Sequence, residues 1–231
     1  MQGNIPVLFQ ITKATCHDLD FLDIVKFEAE AHYIFDRGYT DFEKMFKINQ
    51  SKAFFVIRAK ETLAFRRLYS NKIDKATGLR CDQAIVLTHY RSAKKYPLKL
   101  RRIKYYDQDN DRYFVFLTND FNIEAEAVAQ LYKYRWQIEL FFRWIKQHLK
   151  IKSFWGYSKN AVKTQICIAI CSYLVVALVK KQLGIDRNLY EILQILNVTL
   201  LTKNPLGKLL SEYDLSDIKQ QNEKQLSLWD S

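Results

Sequence analysis

The stretch from Leu131 to Leu149 holds the side chains whose chemistry is hardest to explain by packing alone. Across residues 131–163 eight side chains are Lys or Arg, and Glu139 is the one acid among them. On a helix of ~3.6 residues per turn, Arg135 and Arg143 fall one turn to either side of Glu139. Lys146 lies two turns after it and Tyr132 two turns before. Such a carboxylate has two readings. It makes ordinary i,i+4 ion pairs worth ~0.2–0.5 kcal/mol, or it is a metal ligand beside a bound polyanion. Tyr134, Ile138, Phe141 and Ile145 form an apolar stripe expected to face a core. A second carboxylate, Asp36, follows the apolar run His32-Tyr33-Ile34-Phe35 and precedes Arg37-Gly38-Tyr39. It emerges at the carboxyl end of a strand, the edge where open α/β sheets bind ligands. The same residue types also make a common turn.

Local patterns supply the elements that must position these groups. Strands are expected at Ile5 to Thr12, His32 to Phe35 and Ala53 to Arg58. Helices are expected over Asp18 to Glu30 and Thr40 to Ile48, the latter capped by Thr40 or Asp41. Residues 61–118 change character. Short alternating pieces such as CDQAIVLTHY, LRRIKYYD and RYFVFLTN, separated by turn signals at Thr77-Gly78 and Asp109-Asn110-Asp111, predict antiparallel strands. From Asn122 the pattern is helical to about Lys150, again over about 159–182, and over Leu189 to Leu201. The fold class is α/β (α+β). The predicted organisation is residues 1–58 as the first part of the core, 59–120 as a β-rich insertion, 121–210 as its helical completion, and 211–231 as a polar tail.

Bulk properties narrow the partners. With 36 basic and 25 acidic residues the chain carries a formal charge of +11, which suits phosphate-rich partners better than a membrane surface. Residues 91–104 hold seven Lys or Arg and no acid, among them Lys94, Lys95, Arg101 and Arg102. They form either a solvated charged face or a surface that tracks phosphates. The apolar run Ile166 to Val179 is short for a bilayer and reads as a buried helix, with Cys167 and Cys171 as core thiols. The four cysteines have no metal-knuckle spacing, which fits a reducing cytoplasm. His17 and His148 lack partner spacing as ligands.

The spacing Tyr132, two residues, Arg135, three residues, Glu139, six residues, Lys146 is a Tyr-Arg-Glu-Lys signature. With it, the chain resembles the IS-four type of insertion-sequence transposase, a branch of the DDE transposases with an RNase-H-like core. Asp36-Arg37-Gly38-Tyr39 resembles that family's second-aspartate motif, and FFVIRAK, RCDQAIVL, FLTNDF and FRWIKQHLKIKSFWG extend the likeness over nearly all the chain. The resemblance implies that Asp36 and Glu139 are catalytic and hold Mg²⁺ or Mn²⁺ as two of three carboxylates. It implies that Arg135 and Lys146 contact phosphates and Tyr132 the DNA, with Arg143, Lys94, Lys95, Arg101 and Arg102 as further DNA-binding residues. It also makes residues 59–120 the insertion domain such enzymes carry.

The partner so implied is double-stranded DNA, as transposon ends and target, bound by a homodimer or a mixed dimer with an intact transposase. The setting is cytoplasmic and nucleoid-associated, without a membrane.

The family's first acid precedes the text seen here, since GNIPVLFQIT resembles the strand region after it. Asp18, Asp20 and Asp23 do not replace it. The expectation is therefore a shortened copy, or one piece of a split frame, with weak metal binding and a sheet lacking one or two strands. Relatives that stack a flipped base on an insertion-domain Trp have no counterpart in residues 58–118, where Tyr90, Tyr96, Tyr105 or Tyr106 could substitute. The alternative function is a catalytically silent DNA-binding or interaction protein that modulates an intact transposase. A plain basic nuclease fits the signature less well.

Overall fold

The computed structural model describes residues 5–12, 15, 17–60, 62–149, 151 and 153–199. Two compact units emerge, Thr12–Glu139 and the described part of Met1–Ile11 with Leu140–Ser231. The expected tail at 211–231 lies outside the described residues.

The first unit is built on one six-stranded sheet. Its strands are β1 (His32–Phe35), β2 (Phe54–Arg58), β3 (Phe65–Ser70), β4 (Leu79–Leu87), β5 (Leu100–Asp107) and β6 (Arg112–Thr118), in the spatial order β1-β2-β6-β5-β4-β3. Only β1 and β2 run parallel, with Phe35 opposite Ile57; every other pair is antiparallel. The parallel pair requires a crossover, and α1 (Phe42–Gln50) supplies it. Asp41 caps that helix by accepting from the Glu43 and Lys44 amides at 2.9 and 3.3 Å. The strands of residues 59–120 are antiparallel, as their alternation predicts, and they join the sheet of β1 and β2 directly through β6.

Alternation along the strands gives each face its own core. Phe55, Ile57, Leu100 and Leu117 pack with Met45 and Ile48 of α1 and with Tyr96, which follows α2 (Tyr90–Lys95). On the opposite face Val56, Ile103, Phe114 and Phe116 receive Ala125, Val128, Ala129 and Tyr132 of α3 (Ala125–Tyr134). That spacing is a helical i, i+3, i+4, i+7 stripe. At the far edge of the sheet, β3 exposes Arg66 and Arg67, charges that discourage pairing with another chain.

Buried polar groups fasten α3 to the sheet. Arg101 of β5 donates from Nε and Nη2 to both carboxylate oxygens of Asp82 on β4, each at 2.9 Å. Its Nη1 reaches the Ile123 carbonyl at 2.6 Å and that of Asp120 at 3.3 Å. Asp120, 2% exposed, accepts from the Asn122 amide at 2.8 Å and meets the His32 ring at 2.8 Å. The lead-in to α3 is thereby tied to β1, β4 and β5.

Gly78 closes the turn into β4 at φ +89°, where an added Cβ would lie 2.8 Å from the Tyr106 carbonyl oxygen and 2.9 Å from the Tyr105 ring. Gly78→Ala is expected to lower stability by about 2 kcal/mol, read as a fall in the urea midpoint. An unchanged midpoint would show that the turn adjusts without strain.

Several sequence expectations are corrected. Residues 5–12 form no strand, and Asp18–Asp23 is a short 3₁₀ turn rather than a helix reaching Glu30. The long helix from Asn122 is divided at Arg135 into α3 and α4 (Trp136–His148). There the Arg135 amide bonds the Tyr132 carbonyl and the Ile138 amide bonds the Arg135 carbonyl, so three-residue bonds tighten the path. The buried face shifts accordingly. Tyr134 and Ile138 are exposed, whereas Ile145 is 1% exposed.

The second unit packs Phe141, Trp144 and Ile145 of α4 against Ala169, Ile170 and Tyr173 of α5 (Lys159–Leu183), and Val176 of α5 against Ile192 and Ile195 of α6 (Leu189–Thr199). Helix α5 is not the buried helix its composition suggests. Ile168, Val175 and Leu178 are exposed, as is Cys171, while Cys167 is half-buried. By length and composition alone α5 could cross a bilayer.

Candidate active site

The parallel pair delivers the first acid. β1 ends at Phe35, and Asp36 then caps the 3₁₀ turn Arg37–Tyr39, accepting from the Arg37 amide at 2.6 Å. β2 ends beside it at Arg58, so two carboxyl strand ends meet at one edge. Across the sheet face, α3 brings Tyr132 onto Phe116 and Phe114, with ring centroids 4.8 and 6.0 Å away. The Tyr132 hydroxyl stands 3.5 Å from Asp36 Oδ1. One turn on, Arg135 Nη1 contacts Glu139 Oε1 at 2.9 Å and Asp36 Oδ2 at 3.7 Å. Two carboxylates 103 positions apart in the chain therefore converge on one guanidinium nitrogen.

The electrostatics follow from this crowding. Burial works against charge on Arg135, but the bond to Glu139 and the nearby Tyr132 and Asp36 outweigh it and hold the guanidinium above its ordinary pKa. Burial, then the Asp36 charge, raises Tyr132, which stays a protonated donor at neutral pH. Both acids keep solvent contact, with side chains 48% and 39% exposed. Arg135 Nε is buried with no hydrogen-bond partner among the described residues. Asp36, Arg58, Tyr132 and Arg135 line a cavity of about 600 Å³ that also reaches Asp107, Lys133 and Trp136.

These residues fit a divalent ion in part. Mg²⁺ prefers hard oxygen ligands and keeps several waters, so one or two carboxylates can hold it. Asp36 and Glu139 already gather around a cation, the Arg135 guanidinium. Among the described residues no group of three His, Cys, Asp or Glu gathers as a metal site.

The other sequence-predicted residues distribute differently. Arg143 and Lys146 are exposed on α4 and belong to the second unit. Lys94 and Lys95 sit at the end of α2, which packs on the sheet face opposite α3, and Lys95 pairs with Glu43 at 3.3 Å. Arg101 corrects the expectation of a DNA-facing side chain. It is 5% exposed, and it points inward because the strand alternation assigns it to the α3 face. Arg102, one residue on, takes the other face and stacks over Phe65 at 4.9 Å. Tyr96 is likewise inaccessible for base stacking, being packed edge-on against Phe46 and Phe55. Sequence reasoning missed Arg58. Its signal was its place at the end of the strand paralleling the one that ends in Asp36.

A model of the transposase DDE domain matches residues 1–175 of the chain. A Sinorhizobium fredii protein bearing a transposase name, y4zB, is 40% identical over 174 residues, 74% of this chain and 49% of that protein. A Geobacillus stearothermophilus protein named for the transposase of insertion sequence element IS5377 is 30% identical over 61% of this chain and 37% of its own length. A Synechocystis protein named for element IS4SA is 24% identical over 63% of this chain and 40% of its own length. The chain thus spans half or less of the length of these curated relatives. Members of the family are typically soluble and cytoplasmic and generally use a divalent metal. With more than two thirds of its residues matched by the family model, the chain belongs to the DDE transposases of insertion sequences.

Proposed function

We propose that this chain binds the ends of an insertion sequence and takes part in metal-dependent DNA strand cleavage and transfer, as a homodimer or beside an intact transposase at the nucleoid. The observation that carries this reading is the convergence of Asp36 and Glu139 on Arg135. Asp36 and Glu139 hold the divalent ion, whose chemistry when bound is Lewis-acid stabilisation of an in-line displacement at phosphorus. Arg135 then turns its guanidinium to the phosphate, satisfying the Nε that lacks a partner, and neutralises charge that builds in the transition state. Tyr132, held protonated, donates to a backbone oxygen. Arg143, Lys146, Lys94, Lys95 and Arg102 add phosphate contacts. The strands of residues 59–120 serve as the insertion that guides DNA to the Asp36 edge.

The test is cleavage of a duplex carrying the element's terminal sequence by the purified chain, with Mg²⁺ or Mn²⁺ and with EDTA as control. Metal-dependent nicking at the element end is expected. A second reading draws on the pair, rather than trio, of gathered acids among the described residues: a DNA-binding chain that restrains an intact transposase. Adding the chain to an active full-length relative separates the two, since inhibition without nicking supports restraint.

A further inference from the structure

A second cavity, of about 230 Å³, shares Arg58 with the Asp36 pocket. Arg37, Arg58, Lys60 and Arg102 line it, and no acid does. What sets these four apart is that they face one concavity together with no carboxylate among them. Lys44, Lys95, Arg101, Lys133 and Arg135 all have carboxylate partners, whereas none of these four has one among the described residues. Neutral groups hold two of the guanidiniums, those of Arg102 and Arg58, in place instead. Arg102 donates to Gln83 Oε1 and Cys81 Sγ, each at 3.1 Å, while stacking on Phe65. Arg58 lies 5.0 Å over the Phe114 ring. Rings and neutral acceptors orient a guanidinium without cancelling its charge. Four like charges around a concave, partly apolar wall raise the local potential and favour an anion. Three of them are arginines, whose planar forks match phosphate oxygens in pairs.

We propose that this cavity is a phosphate subsite that receives a phosphodiester of the bound nucleic-acid strand, next to the one presented to Asp36. The assignment to a strand rather than to a free anion rests on the proposed function and on Arg58, which lines both cavities and so joins them at one edge of the sheet. Arg37 connects them through the chain as well, since it directly follows Asp36.

The experiment measures duplex DNA binding by fluorescence anisotropy at about 50–200 mM salt, with the whole chain and three variants. Lys60→Gln and Lys60→Gln/Arg102→Gln alter the cavity; Lys72→Gln removes an exposed charge of the same unit from outside it. Removal of a side chain that neutralises one phosphate should lower the magnitude of the slope of log K against log salt by about 0.9. The double variant is expected to lose more slope than Lys72→Gln, and Lys60→Gln, whose side chain is exposed and tolerates change, to lose part of it. If the wild type binds DNA and the cavity variants match Lys72→Gln, the subsite is overturned and the proposed function stands. If the wild type does not bind DNA, the proposed function falls, and the strand assignment with it. Inorganic phosphate, titrated against the arginine Nε–H NMR signals, separates the sources. Saturation of the Arg58 and Arg102 signals at micromolar phosphate would assign the cavity to a free anion and overturn the strand assignment, while millimolar binding displaced by DNA supports it.

Discussion

Glu139→Gln is expected to reduce metal-dependent nicking of element-end DNA by about a thousandfold. Glutamine keeps the shape of the side chain and an oxygen for the 2.9 Å contact with Arg135, so the fold should survive. What it removes is the negative charge. A bound divalent ion contributes several kcal/mol of charge stabilisation at phosphorus, and losing about 4 kcal/mol of it is a factor of about a thousand in rate. Asp36→Asn should do the same from the other side of Arg135. A readout independent of turnover is Mn²⁺ affinity by electron paramagnetic resonance, expected to weaken at least about tenfold in either variant. Glu43→Gln is the control, because Glu43 pairs with Lys95 beside α2 and has no part in the site. Equal Mn²⁺ affinity in wild type and Glu139→Gln would remove Glu139 from the metal site.

The largest stability effect is expected at Asp82. Asp82→Asn leaves the Arg101 guanidinium buried and without its carboxylate, a loss of about 3–5 kcal/mol. Burial alone would raise the Asp82 pKa, but Arg101 and Asn71 overcome it and hold the carboxyl below its ordinary value. A carboxylate depressed by folding stabilises the protein above its unfolded-state pKa, near 3.8. That contribution is lost as pH falls through the lower folded value. The difference between wild type and Asp82→Asn should therefore be full at neutral pH and narrow only at acid pH, as followed by urea unfolding. A difference that stays constant far into the acid range, to about pH 2, would mean that charge is not its source. Because Arg101 also holds the Asp120 and Ile123 carbonyls, the same variant should loosen the start of α3. Amide exchange at Val128 and Ala129 is expected to quicken more than at Met45 and Ile48 of α1.

Local signals in the chain already contained much of the architecture. β1 and β5 match their sequence patterns residue for residue, and α1 begins one position after its Asp41 cap, because alternation and capping are set within a few residues. The Arg135–Glu139 pair was legible for the same reason, four residues being one helical turn. The weaker readings failed where packing decides. Nothing local distinguishes a strand at residues 5–12 from the irregular chain found there. The apolar stripe from Tyr134 to Ile145 was drawn on an unbroken helix, and two tightened turns at Arg135 moved it. In residues 91–104 the sequence offers seven equivalent cations. The register of β5 between β4 and β6 turns Arg101 inward to Asp82 and leaves Arg102 on the cavity wall.

The spacing Tyr132, Arg135, Glu139, Lys146 and the motif at Asp36 carry the resemblance to the family, because both are read along the chain and need no tertiary contact. Only the tertiary structure could join them. Asp36 meets Arg135 because β1 pairs with β2 while α3 lies across the same sheet, and Arg37, Arg58, Lys60 and Arg102 share a wall because separate segments of the chain meet there. Contacts across so many residues depend on strand order and register, which the whole hydrophobic core determines and no short pattern encodes.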